Sequence, residues 1–162
     1  MANRLRLVRS EAEMRALGAG LICSVSGGGV VTLSGELGTG KTTLVRGALQ
    51  CRGVDGVRSP TYTLIEYYPF DDIAVAHFDL YRLGDAEELE YLGFRDYLNP
   101  ATLCFIEWPE RARGYLHAID LEIQLQYDTQ GRRLQIDPHT STGQQLCRGI
   151  DRAMASTSSQ RF

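Results

Sequence analysis

Apolar residues follow two periods along this chain, and the change between them marks its centre. Val30, Val31 and Leu33 form a short apolar run of the kind a buried strand carries. Leu44, Ala48 and Leu49 then share one helical face. Other elements follow from the same test. Residues 4–9 alternate weakly, as a short edge strand would. Ser10 and Glu13 form a capping-box pattern ahead of Met14, Leu17 and Leu21, which predicts a helix over 11–23. The glycines at 27–29 end it. Beyond a turn-rich connector at 52–58, strands are predicted at 64–68 and 73–78. The Pro69-Phe70-Asp71-Asp72 turn between them is short, so they pair antiparallel and the sheet is mixed. An acidic helix follows at 86–92, with Leu89 and Leu92 inward, then a small turn of structure at 93–98. Leu103-Cys104-Phe105-Ile106 is a uniformly apolar strand closed by Glu107. Alternation over 119–127 and 133–136 predicts a C-terminal β-hairpin on the far side, and a last helix spans 142–153. With no repeat and no linker, residues 1–155 read as one domain and 156–162 as a disordered polar tail.

Between the central strand and its helix stands Gly35-Glu36-Leu37-Gly38-Thr39-Gly40-Lys41-Thr42, which fits the spacing G-x-x-x-x-G-K-S/T. The residue types suit a nucleoside triphosphate. Glycines let the chain curl so that the N–H groups of Leu37, Gly38, Thr39 and Gly40 wrap phosphate oxygens. The helix that opens at Lys41, with Thr43 in its first turn, points the positive end of its dipole at them. Lys41 adds a compact cation for the β- and γ-phosphates, and the Thr42 hydroxyl is a hard ligand for Mg²⁺. Lys41 is also the only lysine; every other basic residue among the 17 is arginine. An ammonium is thus kept at the one place where a planar guanidinium fits poorly. The same count excludes an N-K-x-D guanine-recognition motif, so ATP is expected rather than GTP.

Composition narrows the setting. No apolar run is long enough to span a membrane, and the N-terminus lacks the apolar core of a signal peptide. Cys23, Cys51, Cys104 and Cys147 are scattered, with no C-x-x-C, and read as reduced core thiols of a cytoplasmic protein. The net charge of −3 is uneven: Asp71 to Glu110 holds ten acids against Arg82 and Arg95. That is not the footprint of an autonomous tRNA binder. It is either a solvated acidic face or a docking face for a basic partner.

A phosphate loop needs an acid for its metal at the end of a neighbouring strand. Asp79 and Glu107 are the candidates. Glu107 closes the more apolar strand and is the expected Mg²⁺ ligand, directly or through water. Asp79 is then a second acid that holds metal waters, orients an attacking water, or merely terminates its strand. Ser59-Pro60-Thr61-Tyr62-Thr63 lies where a γ-phosphate sensor belongs, and Thr61 or Thr63 could supply the hydroxyl. His77 reads as a core or rim histidine paired with a carboxylate. Trp108, which follows Glu107, either lies near the nucleotide or serves ordinary packing, and Ser10 with the first helix is the guess for the adenine end.

GELGTGKTT at 35–43, SPTYTLIE at 59–66, HFDLYRL at 77–83, EELEYLGFRDYL at 87–98 and IEWPE at 106–110 together resemble the TsaE family, bacterial ATPases of the tRNA threonylcarbamoyladenosine (t6A) pathway. The five motifs stand in family order and spacing over about half the chain. The resemblance implies a three-layer α/β phosphate-loop fold with a mixed, mostly parallel sheet. It implies ATP binding and slow hydrolysis, with Mg²⁺ at Thr42 and Glu107 and functional importance for Lys41 and Asp79. It makes Ser59-Pro60-Thr61 a nucleotide-sensing segment. It also implies TsaB and TsaD as partners, which carry out threonylcarbamoyl transfer to adenosine 37 of ANN-decoding tRNAs. Thr39 stands where alanine is commoner, and nothing beyond Leu116 matches closely. The chief rival is a small-molecule kinase with Asp79 as base; a nucleotide-holding module without hydrolysis is the second.

Overall fold

A computed structural model describes residues 2–159. Its elements are β1 (Arg4–Val8), α1 (Glu11–Cys23), β2 (Gly29–Ser34), α2 (Lys41–Gln50), β3 (Ile65–Pro69), β4 (Ala74–Asp79), α3 (Glu88–Tyr91), α4 (Phe94–Tyr97), β5 (Thr102–Glu107), β6 (Leu121–Asp128), β7 (Gly131–Pro138) and α5 (Ser141–Ser159). The strands form one sheet in the order β1-β7-β6-β2-β5-β4-β3. The four central strands, β6, β2, β5 and β4, run parallel; both flanks are antiparallel. This is the expected mixed sheet with a parallel centre. Among the described residues no helix is long and apolar enough to cross a membrane.

Strand alternation creates the layers. Val31 and Leu33 of β2, Phe105 of β5 and Ile123 of β6 face α1, α2 and α5 in the larger core. Phe78 and Ile106, on the opposite face, meet Leu89 of α3 and Phe94 of α4 in a thinner one. β5 lies between β2 and β4, so the strand ends carrying the loop, Glu107 and Asp79 are neighbours. The predicted hairpin is β6–β7, and its first strand pairs directly with β2, against the loop's own strand. Its turn is shorter than expected, because Gly131 already belongs to β7. α5 extends to Ser159, past the predicted end at 153 and through part of the segment read as a tail; residues 160–162 lie outside the described residues.

α1 and α2 cross with their backbones in contact. A Cβ on Gly18 would lie 1.8 Å from the Leu44 carbonyl oxygen, and one on Gly47 would lie 2.0 Å from that of Arg15. Backbone cannot yield as a side-chain tip can, so any substituent separates the helices. Gly47→Val is expected to destabilise the protein by roughly 3 kcal/mol or more, read as a lower urea midpoint.

The cysteine expectation needs correction. Cys104 and Cys147 are buried, and burial pushes the Cys104 thiol up to about 12. Cys23 and Cys51 are instead exposed, with sulfurs 3.9 Å apart where α1 and α2 end. Helical spacing cannot report this, because both stand at helix ends, where the apolar stripe runs out onto the surface.

Candidate functional site

Ser10 caps α1: its side chain accepts from the Glu13 N–H, as the capping pattern predicts. This fixes the start of α1 beside the phosphate loop, where Ser10 helps line a pocket of about 220 Å³ with Arg9, Gly38, Thr39, Gly40 and Thr43. A second cleft, about 370 Å³, adjoins it. Lys41, Thr42, Thr61, Asp79, Glu107 and Trp108 line that cleft, together with Leu37 and Ser59. The structure therefore brings together in this cleft the candidate residues from Leu37 to Thr43 other than Thr39, with Thr61, Asp79, Glu107 and Trp108; Ser10 and Thr39 stand in the adjoining pocket. Thr63 is the alternative sensor that drops out, since its hydroxyl lies 3.5 Å from Glu66 and not in the cleft.

Lys41 is 4% exposed. Its ammonium donates to the carbonyls of Gly35 (2.5 Å) and Glu36 (2.8 Å) and sits 4.5 Å from the Trp108 ring centre. Burial pulls its pKa below the ordinary lysine value, while Glu107, Asp79 and Glu110 pull it back up. The charge is held by loop oxygens, ready to be exchanged for those of a ligand.

Asp79 and Glu107 are register partners at the ends of β4 and β5. The Thr42 hydroxyl lies 3.1 and 3.2 Å from the two Glu107 oxygens. On its other side Glu107 accepts from His77 Nε2 at 2.6 Å. His77 is fully buried, and among the described residues its Nδ1 has no partner; its Nε2 faces a carboxylate oxygen, which as an acceptor takes the ring N–H. The predicted carboxylate partner of His77 is thus Glu107, one strand across, rather than its chain neighbour Asp79. Asp79 holds the hydroxyl segment: its Oδ2 accepts from Ser59 and from Thr61 at 3.1 Å, and its Oδ1 from the Tyr81 N–H at 3.0 Å. Trp108 adopts a left-handed backbone, φ 59°, that turns its ring over Lys41 and to 5.0 Å from Tyr81.

Among the described residues no three His, Cys, Asp or Glu side chains converge as a metal cage. The Thr42 hydroxyl against the Glu107 carboxylate is instead a hard-oxygen pair. It suits Mg²⁺, which keeps water and ligand phosphate in most of its positions.

Sequence reasoning missed two contacts, both from the hairpin. The Tyr127 hydroxyl donates to the Leu37 carbonyl, and Arg132 donates to that of Gly38 at 3.3 Å. Alternation suggests that Tyr127 points inward with Leu121, Ile123 and Leu125, yet it is 53% exposed at the end of its strand. The Tyr–Arg proximity across a two-residue turn was the available clue.

The family model described as "Threonylcarbamoyl adenosine biosynthesis protein TsaE" matches residues 8–135. The chain is 46% identical over 118 residues to the tRNA threonylcarbamoyladenosine biosynthesis protein TsaE of Haemophilus influenzae, covering 72% of this chain and 75% of that protein. It is 33% identical over 130 residues to the protein of the same name from Rickettsia felis, covering 79% and 75%. Its structure is similar to the crystal structure of Bacillus subtilis YdiB, with a TM-score of 0.75 and 24% identity over 93% of this chain and 95% of that one, a likeness of fold. The family model spans most of the chain and the relatives agree with it: the chain belongs to the TsaE family of tRNA threonylcarbamoyladenosine biosynthesis proteins.

Proposed function

We propose that this protein binds ATP with Mg²⁺, hydrolyses it slowly, and through that cycle switches a t6A transferase formed by TsaB and TsaD. The observation that carries the reading is the convergence of Lys41, Thr42, Asp79 and Glu107 on one cleft with the Ser59–Thr61 hydroxyls. Lys41 and the loop N–H groups bind the phosphates. The smaller pocket beside Ser10 and Thr43 takes the adenine end. Thr42 and Glu107 would hold Mg²⁺, which supplies charge neutralisation on the β- and γ-oxygens.

Asp79 is a poor fit to a kinase base, because hydroxyls and an N–H already occupy both its oxygens. It ties the 59–61 segment to the cleft wall instead. A γ-phosphate arriving there competes for the Ser59 and Thr61 hydroxyls, and that competition is the differential contact a switch requires. Among the described residues no arginine side chain lines the cleft, and slow turnover by the isolated protein is the expected consequence.

The test is threonylcarbamoyl transfer by purified TsaB and TsaD, with and without this chain, alongside ATP hydrolysis. Repeated turnovers are expected only when it is present, with its hydrolysis rate raised by the partners. Kinase-like hydrolysis by the isolated chain, indifferent to the partners, would overturn the switch.

A further inference from the structure

The phosphate loop is braced from outside by the hairpin, and every carbonyl from Gly35 to Gly38 has a donor. Lys41 serves Gly35 and Glu36, and the Thr39 N–H and hydroxyl also serve Glu36. Leu37 and Gly38 are served by Tyr127 and Arg132. The last two are a unit: the Arg132 guanidinium lies 4.6 Å from the Tyr127 ring centre. The contact is close. A Cβ on Gly35 would lie 2.4 Å from the Leu125 carbonyl oxygen, and one on Gly38 would lie 2.7 Å from the Tyr127 hydroxyl. Gly38 is not a fixed position of the loop motif; its left-handed backbone, φ 79°, calls for glycine, and the Tyr127 hydroxyl closes the space a side chain would need.

The two pairs of carbonyls differ in what a ligand does to them. Lys41 must leave Gly35 and Glu36 when its ammonium moves to a phosphate. Tyr127 and Arg132 carry no such obligation. In a trans peptide the carbonyl of one residue and the N–H of the next point opposite ways, and among the described residues every peptide bond is trans. Holding the Leu37 carbonyl toward the hairpin therefore turns the Gly38 N–H away from it, while the Thr39 N–H, opposite the Gly38 carbonyl, rests on the Glu36 carbonyl at 3.3 Å until a ligand takes its place.

We infer that the β6–β7 hairpin is a working part of the phosphate site, with Tyr127 and Arg132 as positioning residues that fix the loop's donor array before a polyphosphate arrives. This rests on the nucleotide reading above. It gives the C-terminal hairpin a task beyond completing the sheet, and the gain is preorganisation: fewer loop conformations are lost on binding.

Tyr127→Phe removes one hydroxyl and keeps the ring; Arg132→Met removes the guanidinium and keeps the stem. Amide hydrogen exchange of the loop, measured on the full chain without ligand, is expected to quicken several-fold at residues 36–40 in each variant. By calorimetry Tyr127→Phe should weaken ATP binding about fivefold, the effect of one lost neutral hydrogen bond, and Arg132→Met about tenfold or more, because its donor is charged; each should weaken inorganic tripolyphosphate to the same degree as ATP. The double variant should lose less than the product of the two, because the residues share one brace. Unchanged loop exchange would overturn the inference. So would a loss seen with ATP and not with tripolyphosphate, which would mean that Arg132 touches base or sugar directly. Wild-type protein that bound no ATP would instead sink the nucleotide reading, whatever the exchange rates.

Discussion

Lys41→Ala should weaken ATP binding by about 100-fold or more, roughly 3 kcal/mol, measured by calorimetry. The side chain is the only lysine in the chain and one of the few charged groups buried in it. Its loss removes a charge-assisted contact that no arginine of the cleft replaces. Stability should move little or rise, because burial disfavours the charged form and alanine relieves that cost. A binding loss with an unchanged urea midpoint therefore separates function from folding. Lys41→Arg should fail nearly as badly, since a planar fork cannot occupy the slot between two loop carbonyls and the Trp108 ring. In the free wild-type protein stability should climb as pH rises through the depressed lysine pKa toward its ordinary 10.5. In that window the folded chain has shed the proton and the unfolded chain keeps it.

Glu107→Gln should cut ATP hydrolysis by about 100-fold while leaving the fold intact. The amide oxygen can still accept from His77 Nε2, so the buried histidine keeps its one partner. What disappears is the negative charge beside Thr42 that suits Mg²⁺. Glu107→Ala makes a useful contrast. It leaves His77 fully buried with neither ring nitrogen bonded, which should cost about 1–3 kcal/mol of stability as well. If the Gln variant hydrolysed ATP at the wild-type rate in a phosphate-release assay, Glu107 would have no part in the chemistry.

Much of this arrangement is legible in the chain because local rules govern it. Ser10 caps where its spacing to Glu13 says it should, and the uniform apolarity of residues 103–106 places β5 at the sheet centre. Asp79 and Glu107 are recognisable because a carboxylate ending an apolar strand has nowhere to go but the rim where the strands run out into loops. What eludes sequence reasoning is contact across strands. That His77 serves Glu107 depends on the order β2-β5-β4, which no periodicity encodes. Tyr127 and Arg132 reach the loop only because β6 pairs parallel with β2. The exposed cysteines escape for a simpler reason: cysteine is apolar enough to suggest a core wherever it falls.

Trp108 has a use that none of its packing requires. It is the sole indole in the protein, and it lies against the sole lysine. Emission from an indole responds to a charge at its face, so withdrawal of that charge toward a phosphate would register as a change in intrinsic fluorescence. The chain thereby contains an unlabelled optical clock for the first event at its own loop. Rapid mixing with nucleotide would time that event separately from the slow hydrolysis proposed above.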